Sequence, residues 1–192
     1  MTLSPNLNNV LTNLDLPKKC FGCKIVYQNI VENFFVRKKS KDGYSSKCKK
    51  CETQQSIEYA RTEIGYLTVC YSSIKNRYKN VRYRSLSEKE KEPHRCNITK
   101  KEFFELWEEH KKNFGYRCRL TEIKIILERA VDNKKRRFAG YSNAMSVDRL
   151  NPLIGYTKEN IIFVSNEANK IKSGVTKDIC IKVLKLYEEK GL

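Results

Sequence analysis

The feature that most constrains this chain is a pair of cysteine doublets, Cys20-Phe-Gly-Cys23 and Cys48-Lys-Lys-Cys51. In a C-x-x-C stretch the chain doubles back far enough for both sulfurs to reach one ion. Two such stretches supply the four soft ligands of a tetrahedral structural zinc site. Any fold must then bring the doublets together, which closes residues 18–53 into a small four-cysteine zinc module. Between them, Phe34 and Phe35 read as a short strand and Asp42-Gly43-Tyr44 as a turn. Zinc acidifies the thiols it binds, and Lys18, Lys19, Lys24, Lys47, Lys49 and Lys50 help offset the charge of four thiolates. Cys70, Cys96, Cys118 and Cys180 stand alone in sequence and are expected as small buried side chains.

The 192 residues suffice for one ordinary domain or two small ones. Lys and Arg number 39 against 22 Asp and Glu, a net charge of +17. Such an excess favours a polyanionic partner and salt-sensitive association. Basic residues are dense at Lys47–Lys50, Lys75–Arg84 and Lys134–Arg137, with Tyr71, Tyr78 and Tyr83 interleaved, a pattern that points to double-stranded DNA. No apolar run approaches the roughly 20 residues of a membrane span. The first residues lack the charged and then apolar pattern of a signal peptide. An intracellular protein without disulfides and without a membrane partner is expected.

Residues 1–17 read as a polar tail, and residues 54–93 as a basic helical segment and linker. Ile64, Leu67, Tyr71, Ile74 and Tyr78 recur at three- and four-residue steps, giving an apolar face to one helix from about Glu52 to Asn80. Arg61, Lys75, Arg77 and Lys79 mark the opposite face, which can lie along DNA, and Arg82 follows in the linker. Thr99-Lys-Lys-Glu102 is a capping box that starts a further helix, with Phe103, Leu106, Trp107 and His110 on one side and an end near Gly115. Tyr116–Leu120 reads as a strand. Ile123–Asn143, which carries the basic Lys134, Arg136 and Arg137, reads as a hairpin or insertion. Thr176 caps a last helix expected to bury Ile179, Val183, Leu184 and Tyr187 and to end at Gly191. No internal repeat is visible.

Met145–Ser173 carries the chemistry. Asp148-Arg149 ends a short apolar run, Gly155-Tyr156 makes a turn, Asn160 opens a second apolar run, and Asn169-Lys170 falls on a helix. Strand, turn, strand and helix would bring a carboxylate and two amides to one place, a cradle for a hard divalent cation and a phosphate.

Three segments, Ser146-Val-Asp-Arg-Leu-Asn151, Gly155-Tyr-Thr-Lys-Glu-Asn160 and Asn169-Lys-Ile-Lys172, resemble the HNH, or ββα-metal, nuclease superfamily in type and spacing. With the N-terminal cysteine doublets, the likeness is to restriction endonucleases of that superfamily. It is loose from Cys20 and tight only after Met145. The resemblance implies an α+β fold: a ββα-metal (HNH) nuclease core within residues 94–192, an N-terminal four-cysteine zinc module and flanking helices. It further implies that Asp148 and Asn160 hold a catalytic Mg2+ and that Asn169 orients the metal or the loop.

The chain departs from the family at Arg149, where most members place the histidine that serves as general base. An arginine stays protonated, so it can grip the scissile phosphate but cannot take a proton from water. The base must come from His94 or His110, the only histidines in the chain, each able to act as a neutral imidazole. His94 stands five residues before Thr99-Lys100, as a histidine does in the similar restriction enzymes. Those enzymes carry a second four-cysteine site around the core. Here Ser165 and Ala168 stand where its last pair is expected and only Cys118 remains upstream, so one zinc is expected, not two.

The reading is a sequence-specific, divalent-metal-dependent DNA endonuclease of restriction or homing type, with Lys170 and Lys172 among its DNA contacts. A homodimer suits a cut through both strands of a palindrome, and a monomeric nickase suits a homing enzyme. The reading from another class is a non-catalytic zinc-containing DNA-binding protein on a degenerate HNH fold.

Overall fold

A computed structural model describes residues 17–77, 85–128 and 141–191. The tail before residue 17, and Tyr78, Lys79, Arg82, Tyr83, Lys134, Arg136 and Arg137, lie outside the described residues. The chain divides into two compact units, Met1–Tyr59 and Ala60–Leu192.

In the first unit, β1 (Lys18–Lys19) pairs antiparallel with β2 (Val26–Tyr27) around the first cysteine doublet. A single helical turn, α1 (Ile30–Asn33), follows, capped by the Asn29 side chain, which accepts the Glu32 N–H at 3.1 Å. The hairpin of β3 (Phe34–Val36) and β4 (Tyr44–Cys48) turns at Gly43, whose φ of 75° is left-handed. β4 runs straight into α2 (Lys49–Arg61). The buried apolar cluster is Cys20, Ile30, Phe34 and Cys48, with Tyr27 edge-on to Phe34. Two of those four residues are doublet cysteines, and a core this small needs a further staple.

The second unit holds α3 (Glu63–Lys75), α4 (Glu88–Lys91), a 3-10 turn at Glu92–His94, α5 (Lys100–Phe114), β5 (Met145–Arg149), a 3-10 turn at Lys158–Asn160, β6 (Ile161–Ser165), α6 (Asn166–Lys172) and α7 (Lys177–Lys190). The single helix expected over 52–80 is broken at Thr62. That residue is extended, and its side chain accepts the Gly65 N–H at 3.0 Å, so it caps a new helix. Tyr66, Leu67, Cys70 and Ile74 are buried, while Ile64 faces solvent.

The capping box at Thr99 forms as expected, and Phe103, Trp107 and His110 are buried on one side of α5. Phe163 of β6 meets Trp107 and Phe103 edge-on, at 5.1 and 5.6 Å between ring centroids. Glu63 at the start of α3 holds this core together. Its carboxylate accepts the Trp107 indole N–H, the Lys111 ammonium and the Tyr116 hydroxyl, each at 2.7 Å. Tyr66 ties α3 to β5 by donating to the Met145 carbonyl at 2.7 Å.

Two expectations are corrected here. Tyr116–Leu120 is not a strand; beyond one isolated bridge, Arg117 to Lys124, the segment is a tight turn. α7 begins at Thr176 and ends at Gly191 as expected, but it buries no residue. Ile179, Val183, Leu184, Tyr187 and Cys180 are exposed. Periodicity marks an apolar face without supplying the surface that would cover it. Among the described residues, no helix is long and apolar enough to cross a membrane.

Candidate functional site

The first doublet sits in a closed turn. The Cys20 N–H donates to the Ile25 carbonyl and the Lys24 N–H to the Cys20 carbonyl, both at 2.9 Å. This places Lys24 at a left-handed φ of 63°. A Cβ on Gly22 would lie 3.0 Å from the Cys51 sulfur, so any larger residue there presses on the second doublet. The sulfurs of Cys20, Cys23, Cys48 and Cys51 all lie within 4.8 Å of one another, and those of Cys23 and Cys48 are 3.9 Å apart. Zinc bonded tetrahedrally at about 2.3 Å sets its sulfurs about 3.8 Å apart. The four cysteines can therefore hold one zinc ion.

Electrostatics favours the ion. Burial raises the Cys20 thiol, but N–H groups of Cys48, Cys23 and Gly22 pointed at its sulfur outweigh this and bring it down to about 6. Hydrogen bonding with Cys48, then burial and the remaining sulfurs, push Cys51 up to about 12. Without a cation the cluster cannot carry four negative charges at neutral pH. A divalent ion replaces the retained protons.

Beside this turn lies an open groove of about 730 Å³, lined by Lys18, Lys19, Lys24, Arg37 and Lys41 together with Phe21. Lys18 pairs with Asp42, the one acid in the lining, and Arg37 pairs with Glu52. Arg37 and Lys41 come from the β3–β4 hairpin, distant in sequence from the turn. That is why charge counting alone assigned the lysines to offsetting thiolates and missed the groove.

In the second unit β5 and β6 pair in register from Met145↔Ser165 to Arg149↔Ile161, and α6 packs on both strands. Alternation turns Met145 and Val147 to the core and Ser146 and Asp148 to α6. Asn169 Nδ2 donates to Ser146 Oγ at 2.7 Å. Lys172, on the same helix face, donates to the Arg149 carbonyl at 2.7 Å and sits 3.0 Å from Asp148 Oδ2. Asp148 is 7% exposed, and its Oδ2 is buried without a hydrogen bond. The ammonium is well placed for charge but not for a directed bond.

Asn160 has a different role from the one expected. Its Oδ1 accepts the Asn151 N–H at 2.7 Å, and its Nδ2 donates to the carbonyls of Gly155 and Asn151 at 2.8 and 3.0 Å. The carboxamide is committed to the backbone of the β5–β6 loop. It shapes that loop. Arg149, at the loop's entry, donates to the Ile154 carbonyl at 3.0 Å and lies over the Tyr156 ring at 5.4 Å.

The two histidines separate. His110 is 6% exposed, stacked on Trp107, with its Nε2 2.9 Å from the Arg117 carbonyl. Burial lowers its pKa, the Arg117 carbonyl opposes this, and the Arg119 charge lowers it further. It is a core residue, packed against Trp107 and bonded to the chain that follows α5. His94 ends the 3-10 turn at Glu92–His94, and the next residues pair with Tyr156. The Tyr156 N–H donates to the Arg95 carbonyl at 3.1 Å and the Asn97 N–H to the Tyr156 carbonyl at 3.0 Å.

The buried Tyr156 is thus a junction that sequence reading saw only as part of a turn. Arg149 covers it, Arg77 hydrogen-bonds its hydroxyl, and the His94 segment runs alongside. Lys75 reaches the Cys96 carbonyl at 3.1 Å, so Lys75 and Arg77 both bond at this junction while remaining exposed. Arg61 and Lys170 are exposed. Comparison with protein-family models, with curated proteins and with solved structures finds no match for this chain.

Proposed function

We propose that the second unit is a divalent-metal-dependent DNA endonuclease of the ββα-metal, or HNH, type, and that the first is a zinc-stapled basic module that grips DNA. The observation that carries this reading is Asp148. A buried carboxylate oxygen that lacks a hydrogen bond is the kind of donor a hard cation takes. Asp148 and Asn169 would hold a magnesium ion, with water completing its shell. Bound there, the cation would stabilise the charge that develops on the phosphate and on the leaving oxygen.

The chain's own groups do the rest. Lys172 balances Asp148, and with a divalent ion held there its ammonium would be available to a DNA phosphate. Arg149, held over Tyr156, offers its planar fork to the scissile phosphate. Asn160 fixes the loop that carries it. His94, on the segment beside Tyr156, takes the proton from the attacking water. The basic groove and the net charge of +17 supply the affinity. Two copies of the chain would cut both strands at one site.

One observation favours a second reading. Lys172 already neutralises Asp148, which suits a ββα module that binds DNA without cutting it. Supercoiled plasmid incubated with the full chain and Mg2+ separates the two. Nicking or cutting that Asp148→Ala abolishes, with DNA affinity kept, supports the nuclease. Binding without cleavage by the wild type leaves the second reading, and absence of both overturns each.

A further inference from the structure

The turn around Cys118 repeats the turn around Cys20 bond for bond. In the first unit the Lys24 N–H donates to the Cys20 carbonyl and the Cys20 N–H to the Ile25 carbonyl, both at 2.9 Å. In the second, the Glu122 N–H donates to the Cys118 carbonyl and the Cys118 N–H to the Ile123 carbonyl, again both at 2.9 Å. Lys24 and Glu122 are two of only three non-glycine residues with positive φ among those described, at 63° and 59°. The flanking pairing matches as well: Lys19↔Val26 in one unit, Arg117↔Lys124 in the other.

The likeness continues into the hairpin and helix. The residue after each cysteine donates to the strand that precedes the helix, Phe21 to the Ser46 carbonyl at 2.9 Å and Arg119 to the Phe163 carbonyl at 3.1 Å. Phe34↔Cys48 and Met145↔Ser165 are corresponding hairpin pairs. Each second strand ends one residue before its helix, α2 from Lys49 and α6 from Asn166. Cys20, Cys23, Cys48 and Cys51 therefore correspond to Cys118, Thr121, Ser165 and Ala168. Little but the first cysteine is shared in sequence, which is why no repeat was visible there.

The metal positions of one unit are a hydrogen-bond network in the other. Cys20 Sγ accepts the N–H groups of Gly22 and Cys48, at 3.3 and 3.1 Å. Cys118 Sγ accepts those of Leu120 and Ser165 and also meets the Thr121 side chain. Ser165 Oγ accepts the Ala168 N–H at 3.1 Å, and Cys118, Ser165 and Ala168 are all buried. Thr121 is exposed, as Cys23 is.

We propose that residues 116–128 and 141–172 form a second copy of the zinc module, with its metal site converted to a metal-free network, and that restoring three cysteines restores a second zinc site. This rests on the zinc reading of the first unit and is independent of any nuclease activity. The consequence is a division of labour. Only the first unit depends on a structural metal, so the second can exchange a working cation without losing its fold.

The test is the full chain carrying Thr121→Cys, Ser165→Cys and Ala168→Cys, with zinc counted by mass spectrometry and cobalt substituted for it. The wild type should bind one ion per chain and the variant two, with the thiolate-to-cobalt charge-transfer absorption of a four-sulfur site doubled. A variant with native Trp107 fluorescence that stays at one ion overturns the proposal, as does a wild type with two. Should the triple variant fail to fold, Thr121→Cys with Ser165→Cys supplies three sulfurs, and a folded double variant without a second ion overturns it equally. In the wild type, chelation should free the four doublet cysteines for alkylation and leave Cys118 protected and Trp107 fluorescence unchanged. Exposure of Cys118, or loss of the Trp107 signal, contradicts the metal-free network.

Discussion

Asn160→Asp separates a loop staple from a metal ligand, because the two roles demand opposite outcomes. Asn160 is 3% exposed, and its carboxamide makes three close hydrogen bonds, at 2.7, 2.8 and 3.0 Å, and a long one to the Ile154 carbonyl at 3.5 Å. A carboxylate keeps the acceptor for the Asn151 N–H but loses both donors and turns negative oxygen toward the carbonyls of Asn151 and Gly155. Two lost bonds at about 1 kcal/mol each, plus about 1 kcal/mol for leaving buried acceptors unpaired, total about 3 kcal/mol. For a unit of this size that lowers Tm by about 10 °C. Trp107 is the only tryptophan in the chain and lies wholly buried on α5, so its fluorescence reports the second unit's unfolding in urea or heat. Lowering the pH protonates the new carboxyl and returns one donor, so the penalty should shrink in acid. Asn160→Asp with undiminished stability, and with greater stabilisation by Mg2+ than the wild type, would refute the staple.

Further outcomes follow from other buried contacts. Glu63→Ala leaves the buried Trp107 N–H without its partner and should cost about 2–3 kcal/mol by the same fluorescence measurement. Burial raises the Glu63 pKa, but bonds from Lys111, Tyr116 and Trp107 outweigh it and leave the pKa below its ordinary 4.5. Its stabilisation is therefore full above that value and lost as pH falls through the folded pKa, so Glu63→Gln should flatten the acid limb of a stability profile. His110, whose pKa is held below 6.5, binds fewer protons folded than unfolded. Its contribution is complete above 6.5 and declines as pH falls toward the folded pKa, and NMR should place the His110 ring titration below 6.5. Gly22→Ala sets a Cβ 3.0 Å from the Cys51 sulfur and should weaken zinc about tenfold, or about 1.4 kcal/mol, in competition with a chelator.

What the sequence disclosed follows the range of the forces involved. The cysteine doublets, the Thr99 capping box and the β5–β6–α6 order are local patterns, and each forms as spaced. Thr62 shows where a local rule was overlooked: its side chain caps and restarts the helix. α7 shows the limit of periodicity, since its apolar face has no cover. His110 and Asn160 were read as chemistry because residue type and spacing allowed it. Trp107 and the loop carbonyls, which commit them to packing and loop shape, are contacts that spacing does not encode. Glu63, Tyr156 and the Arg37–Lys41 edge of the basic groove went unseen for the same reason.

The most direct test of the account is cleavage of a randomised DNA library by the full chain with Mg2+, followed by sequencing of the new ends. The new ends should cluster at a defined sequence and be lost with EDTA and in Asp148→Ala. No new ends above background, from protein that still binds the library and holds its zinc, would contradict it.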